Sequence, residues 1–461
     1  MTDAFRNAQR PADKLLARIV DFAFEKYARC LSDAEARATT MRVMDSLACA
    51  IGAAGTEDFA ALKNLPGALD ANGPCTLIGG GRASLEGAAF LNACLIRQLD
   101  WNDTYVGKNG GHPSDFFAGA LACAQFAGRN GHDTLRAIAI GNHLMLDLCD
   151  AANAIARGWD PAVFVAFGAS LSMALALDMK PAQITQALTL TALNAPMLMG
   201  RVGKASTWKG VASAVGVRHA LFDVLLARAG RTGPDPVFEG VYGFEPRVSG
   251  PLDLELDAQR DRTGDSSIKY FPAIYHAQGP LELALQLHQD IAAALGANAA
   301  IEDVSVDIYD FAMRYVADTP DKWRPQNYET ADHSLPFMIA HVLSRGAFGP
   351  HCLHETLWDE RVRDLAARVH VQPDEAFSNA FPGAPSSRIT VNAGGGVFTR
   401  ETNAPLGHAL RPLSPDDVRR KFVTAASHIM ESDKANAWAD RIERIGEASQ
   451  IGPLLEPQPS A

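Results

Sequence analysis

Residues 99–115 read Leu-Asp-Trp-Asn-Asp-Thr-Tyr-Val-Gly-Lys-Asn-Gly-Gly-His-Pro-Ser-Asp. Asp100, Asn102, Asp103, Thr104, Lys108, His112, Ser114 and Asp115 fall in this one segment, and Gly107, Gly110, Gly111 and Pro113 break regular structure within it. Loops carry chemistry when rigid elements hold them, and this one lies between two apolar helical runs. A carboxylate near an imidazole fixes its tautomer and raises its basicity, so Asp100 and His112 are the first acid–base candidates. The segment leads into a helix predicted at Phe116, whose first N–H groups favour a bound carboxylate. Ser114 and Asp115 are read as caps of that helix.

Three further clusters carry polar groups. Arg201, Ser206, Trp208 and Lys209 sit between two strongly apolar helical segments, where an anion site and a solvated helix start fit equally well. Residues 266–278 bring Lys269, Tyr270, Tyr275, His276 and Gln278 before a helix predicted near Pro280; a domain-linking turn packed with amphipathic tyrosines is the plainer reading. His333 stands in Asp-His-Ser-Leu-Pro (332–336), where Asp332 or Ser334 is expected to cap the next helix.

Several classes are excluded by what the chain lacks. There is no GxGxxG after a strand, no GxxxxGK[ST], no GxSxG and no HExxH. Asp103 and His112 lack the helical ligand spacing of a metal site, so metal-free, cofactor-free acid–base chemistry is the simpler account. A net charge of −11 over 461 residues disfavours nucleic acid as a partner, and any cationic pocket must be built locally. The seven scattered cysteines form no CxxC pair and read as reduced core residues. The first residues lack the apolar core of a signal peptide, and no apolar run looks long enough to span a bilayer; a cytoplasmic protein is expected.

The elements that must position these groups change character once. From about Asp13 to Arg228 the pattern is helical, with runs such as Ala36–Ala53, Phe116–Phe126, Leu135–Leu148, Val163–Leu177 and Ile184–Leu193. Residues 230–268 read as a long surface connection. Beyond 270, helices at Leu281–Leu295 and Ser334–Leu343 alternate with strands at Ile301–Ile308, Arg368–Val371 and Ser387–Asn392. A helix from Ser414 to about Ile442 follows, and the tail after Gly452 looks disordered. The expectation is a mainly α protein: a large all-helical domain over 1–265 rejoined by helices within 405–450, a smaller α+β lid over 266–404, and a disordered tail over 451–461.

The chain resembles the MmgE/PrpD superfamily, whose members include dehydratases, decarboxylases and epimerases of carboxylic acids. The resemblance rests on Leu-Asp-Trp-Asn-Asp-Thr (99–104), Gly-His-Pro-Ser-Asp (111–115), Arg-Val-Gly-x-x-Ser-x-Trp-Lys-Gly (201–210) and Gly-Pro-x-x-Val-Phe-Glu-Gly (233–240). Further matches are Phe-Pro-Ala-x-Tyr-His-Ala-Gln (271–278), Asp-His-Ser-Leu-Pro (332–336) and Gly-His-x-x-x-Pro-Leu-Ser-x-x-Asp-Val-x-x-Lys-Phe (407–422). It implies a homodimer whose interdomain cleft is lined by Asp100, Thr104, His112, Lys209 and Lys269, with His276 matching the dehydratase-like branch. Where the decarboxylase branch carries histidines, this chain has Trp159-Asp160-Pro161 and Ile274. The implied activity is loss of water from a hydroxy di- or tricarboxylate, with epimerisation or decarboxylation of a related acid, a non-catalytic carboxylate binder and a metal hydrolase as alternatives. In that chemistry Asp100 and His112 form the acid–base unit, Thr104 orients one of them, and Lys209 and Lys269 stabilise the enediolate. His276 or Tyr270 protonates the departing hydroxyl or holds a second carboxylate, and Asn102, Asp103, Arg201, Ser206, Tyr270 and His333 are assigned to substrate binding.

Overall fold

A computed structural model describes residues 13–65, 67, 69–200 and 206–457. The protein is mainly α, and its helices follow the apolar periodicity of the sequence. Helix Lys14–Ala28 turns Leu15, Leu16, Ile19, Val20, Phe22 and Ala23 inward, the spacing of a one-sided stripe. Helix Asp33–Ala53 starts at a capping box in which Ser32 and Glu35 satisfy each other's backbone N–H groups. Helix Ala162–Ala176 is apolar except for Ser170 and Ser172 and is buried at every position. It is the centre of the bundle, packed by helices Phe117–Phe126, Gly131–Ala151, Pro181–Asn194 and Trp208–Arg228.

Two glycines let this centre close. A Cβ on Gly141 would lie 2.5 Å from the Gly168 carbonyl oxygen, and one on Gly168 would lie 3.0 Å from the Phe116 ring. The crossing of Gly131–Ala151 with Ala162–Ala176 therefore depends on bare backbone, and Phe116 wedges into it. Phe116 directly follows the polar segment 99–115, so the bundle core anchors that loop.

Helix Trp208–Arg228 corrects one expectation, because its length and apolar composition suffice to cross a bilayer. Most of that window is buried among its neighbours, as in the core helix of a bundle. The connection 230–268 does not simply run over the surface. Phe238 and Leu254 are buried, and the Phe167, Phe238 and Phe244 rings pack together with centroids 5.1–5.6 Å apart. The Asp13 carboxylate accepts the N–H groups of Phe238 and Glu239, each at 2.9 Å, which ties the connection to the start of the first helix. Cys30 is likewise exposed rather than a core residue.

The later half contributes one four-stranded sheet in the order Val369–Pro373, Ile301–Ile308, Ser387–Ala393, Gly396–Thr402. The first pair is parallel, with Val304 opposite Val369. The others are antiparallel, with Val304 opposite Val391 and Val391 opposite Phe398. Gly394 and Gly395, at φ 57° and 75°, make the two-residue hairpin turn that a side chain would resist. The strand after this turn escapes sequence reading because it is an edge strand without a buried face. Helix Gln278–Leu295 covers the Ser387–Ala393 and Gly396–Thr402 strands, and helix Leu335–Arg345 packs on that helix.

The chain then returns to the bundle. Helix Pro415–Ala426, capped by Ser414 and Asp417, packs on Asp33–Ala53 and is followed by a separate helix, Ser432–Glu443, instead of one continuous element. Its Lys421 reaches the Asp45 carboxylate at 2.6 Å and the carbonyls of Trp101 and Lys269 at 2.8 and 3.0 Å. Residues 451–457 are not a loose tail: Ile451, Leu454 and Leu455 are buried, and Trp438 donates to the Leu454 carbonyl at 2.8 Å. Residues 458–461 lie outside the described part.

Replacing Gly141 by alanine is predicted to destabilise the protein by about 1–3 kcal/mol, the usual range for overpacking a core. Urea unfolding should show a lower midpoint for Gly141→Ala with an unchanged slope; an unchanged midpoint would contradict the close crossing.

Candidate active site

The site is built on Asp100. Helix Leu85–Gln98 ends one residue before Leu99, and its Arg97 donates to Asp100 Oδ1 at 2.5 Å. Asp100 has φ 48°, a left-handed conformation rarely held by a non-glycine residue. In that conformation its carbonyl and carboxylate converge on one ammonium: Lys269 Nζ donates to Asp100 O at 2.7 Å and to Oδ1 at 2.5 Å. Asp100 and Lys269 are each 1% exposed. Burial disfavours the Asp100 charge, but Arg97, Lys269, His333 and Lys209 outweigh it and hold the carboxyl well below the ordinary range.

A second carboxylate completes the floor. Lys209, in the first turn of helix Trp208–Arg228, donates to Asp332 Oδ2. Asp332 Oδ1 meets His333 Nδ1 at 2.7 Å, and His333 Nε2 stands 3.8 Å from Asp100 Oδ2. Three cations thus face Asp100 and Asp332 in one cluster, and Arg97 is also stabilised by the buried Asp115 carboxylate. Among the described residues Lys209 Nζ bonds only Asp332.

The imidazoles form the accessible edge. His112, His276 and His333 are half-buried, whereas Asp100, Asp332, Arg97 and Lys269 lie beneath them. His112 Nδ1 lies 2.8 Å from the Asp103 carbonyl, which can only accept, so Nδ1 carries the proton and Nε2 a lone pair. The Asp332 carboxylate imposes the same tautomer on His333. His276 instead places Nδ1 2.7 Å from the Tyr309 hydroxyl. All three are held neutral, chiefly by burial and then by neighbouring positive or histidine groups; His276 is pushed down to about 3.

The geometry reassigns several residues. Asp100 and His112 make no hydrogen bond to each other; the carboxylate–imidazole pair is Asp332–His333, so Asp332 is part of the site and not a cap. Ser334 does cap its helix, accepting the Phe337 N–H at 3.1 Å. Thr104 orients neither Asp100 nor His112. Its backbone pairs with Ser267 at 2.7 and 2.8 Å, and its hydroxyl faces the Gly111 carbonyl at 3.4 Å, joining the two site-bearing loops.

Asn102 and Asp103 are fully buried and structural. Asn102 donates to Ser114 Oγ and Asp115 Oδ1 at 2.9 and 2.8 Å. The Asp103 carboxylate accepts the Ser114 N–H at 2.9 Å and the Ser266 hydroxyl at 2.7 Å. Asp103 therefore caps the turn at Pro113–Phe116 from across the loop, and the side chains of Ser114 and Asp115 do not cap the helix that follows. Ser206 is exposed, Tyr270 is 41% exposed with its ring edge-on to Phe271, and Arg201 lies outside the described residues. Trp159 Nε1 donates to the Arg247 carbonyl, Asp160 accepts the Ala162 N–H, and the Ile274 N–H supports the Asp332 carbonyl.

Sequence reasoning missed Arg97 and Asp332. Arg97 is signalled only by its place three residues before Asp100 at a helix end. Asp332 looked like a local cap because its partner Lys209 is 123 residues away. Ligand atoms of Asp100, Asp332 and His333 lie within 4.8 Å of one another, but a divalent cation there would have to compete with Arg97, Lys269 and Lys209, which already balance both carboxylates.

Two stability predictions follow from this charge arrangement. Asparagine tolerates the left-handed backbone, so Asp100→Asn removes charge alone; leaving Arg97 and Lys269 unpaired should cost about 3–5 kcal/mol in urea unfolding. A change below about 1 kcal/mol, the scale of an exposed pair, would contradict the buried cluster. The three histidines have folded pKa values below the 6.5 of an ordinary histidine. Below pH 6.5 the unfolded chain therefore binds protons that the folded chain refuses, and stability falls with pH by up to about 1.4 kcal/mol per unit for each histidine. The urea midpoint should drop between pH 7 and 5, less so in His276→Gln; an equal drop in that variant would contradict a neutral His276.

Comparison with known proteins places this site in context. The family model for the MmgE/PrpD N-terminal domain matches residues 17–257, and that for the MmgE/PrpD C-terminal domain matches residues 271–445. A 2-methylcitrate dehydratase of Cupriavidus necator is 27% identical over 449 residues, covering 88% of each chain. One from Escherichia coli strain K12 is 26% identical over 412 residues, covering 80% of this chain and 81% of its own. A cis-aconitate decarboxylase of Mus musculus is 23% identical over 448 residues, covering 90% and 87%. Both halves of the chain match in order, and the chain belongs to the MmgE/PrpD family.

Proposed function

We propose that the protein is a metal-independent hydro-lyase that removes water from a hydroxy di- or tricarboxylate of the 2-methylcitrate kind. The observation that carries this reading is the gathering of Arg97, Lys209 and Lys269 beside two neutral imidazoles whose Nε2 atoms carry lone pairs. Lys209 takes a substrate carboxylate, and Lys269 lends its field from below. A proton next to that carboxylate is then more acidic, because the enediolate charge develops against fixed cations in a water-poor site.

His112 or His333 takes that proton on Nε2. The C–H electron pair becomes the double bond as the C–O bond breaks, and the new imidazolium returns its proton to the departing hydroxide, giving alkene and water. Asp100 is too strongly held in its ionised form to be the base. Neutral His276 has no surplus proton to give, so it serves as a hydrogen-bond partner of the substrate. In this reading the segment 266–404, which supplies Lys269, His276 and the Asp332–His333 pair, closes as a lid over the groups of the helical part, and two copies of the chain pair as a homodimer.

Incubation with 2-methylcitrate or citrate should generate ultraviolet alkene absorbance that survives a chelator. Exchange of the α-proton in deuterated water without alkene would show an epimerase instead, and release of carbon dioxide a decarboxylase; the absence of alkene, exchange and carbon dioxide together would overturn the enzymatic reading. Alanine at the imidazole that acts as base, His112 or His333, should lower kcat about a hundredfold with folding intact. If both variants keep the parent rate, neither is the base.

A further inference from the structure

Tyr309 follows directly on strand Ile301–Ile308 and is 2% exposed. Its ring stacks on Phe381 at 4.2 Å between centroids, and its hydroxyl lies 2.7 Å from His276 Nδ1. His276 is enclosed by the rings of Tyr309, Phe311 and Tyr315, at centroid distances of 5.6, 5.7 and 5.5 Å. Among the described residues, the Tyr309 hydroxyl has no other hydrogen-bond partner, and neither does either nitrogen of His276.

The position of one proton follows from satisfying these groups. If Nδ1–H donated to the phenol oxygen, the buried phenol proton would be left without an acceptor, a loss of about 1–3 kcal/mol. If the phenol O–H donates to Nδ1, both are satisfied and the imidazole proton must reside on Nε2. We infer that Tyr309 is a positioning residue that locks His276 in the Nε2–H tautomer, so that His276 offers a hydrogen bond to an oxygen of the substrate. His112 and His333, whose Nδ1 partners are a carbonyl and a carboxylate, have the opposite polarity at Nε2. The site thus presents two imidazole acceptors and one imidazole donor. His276 stays neutral because burial disfavours its charge, and no proton leaves it during the reaction. The role assigned to the substrate oxygen rests on the hydro-lyase reading; the tautomer does not.

Two measurements separate these claims. Long-range proton–nitrogen correlation spectra of the full-length protein labelled with nitrogen-15 histidine report the tautomer, with His276 assigned by its loss in His276→Gln. Wild type should carry the proton on Nε2, and Tyr309→Phe should shift His276 toward a mixture or the Nδ1–H form. A wild-type Nδ1–H signal, or an identical signal in Tyr309→Phe, would overturn the inference whether or not the protein dehydrates citrate. In the dehydration assay Tyr309→Phe should lower kcat about tenfold with little change in KM, the scale of one lost hydrogen bond in the transition state. His276→Gln with Tyr309→Phe should be no slower than His276→Gln alone. Additive losses would mark Tyr309 as merely structural and overturn the assignment.

Discussion

A buried negative charge at Asp100 constrains everything around it. An isolated carboxylate at that depth is far too costly to ionise, so the fold must deliver cations to it from distant parts of the chain. Arg97 comes from the end of the preceding helix and Lys269 from the far side of the connection 230–268. The left-handed backbone at Asp100 aims both its carbonyl and its carboxylate at the same ammonium. Lys421 then holds the carbonyls of Trp101 and Lys269 from a helix near the C-terminus. A cluster of this kind is weak evidence for stability but strongly fixes geometry, because removing any partner leaves a charge uncompensated.

The same logic separates the roles of groups with similar chemistry. Carboxylates already satisfied by cations are poor proton acceptors, so Asp100 and Asp332 hold the cations and orient His333. The histidines lie at the edge of the cluster, kept neutral by burial and by the positive charge beneath them. Their Nδ1 partners, more than their positions, decide which end of each ring can take a proton. In an acidic protein, this arrangement gathers Arg97, Lys209 and Lys269 around buried carboxylates in one cluster.

Much of the fold was legible because it is written in local periodicity. The stripe of Leu15, Leu16 and Ile19, the uniform burial of Ala162–Ala176 and the alternation in Ile301–Ile308 each follow from one segment read alone. The edge strand Gly396–Thr402 was not legible, since it has no buried apolar face, whereas the alternation of Leu252, Leu254 and Leu256 with Asp253 and Glu255 was a signal of the buried path that went unread among the Gly, Pro and charged residues of 230–268. For the site, motif resemblance singled out Asp100, His112, Lys209, Lys269 and His276. It could not show that Asp103 contributes a carbonyl to His112 while its carboxylate caps a turn. Nor could it pair Asp332 with Lys209, because a local capping signature accounts for an aspartate before a helix without any distant partner. Residue types and motifs mark where chemistry is possible, and long-range pairing decides which atom performs it.

A crystal structure with citrate tests the roles of Lys209, His112 and His333 most directly. A citrate carboxylate should lie at hydrogen-bond distance, about 2.7–3.2 Å, from Lys209 Nζ, with His112 or His333 Nε2 facing a methylene carbon. Citrate bound where it touches none of Lys209, His112 and His333 would contradict these roles.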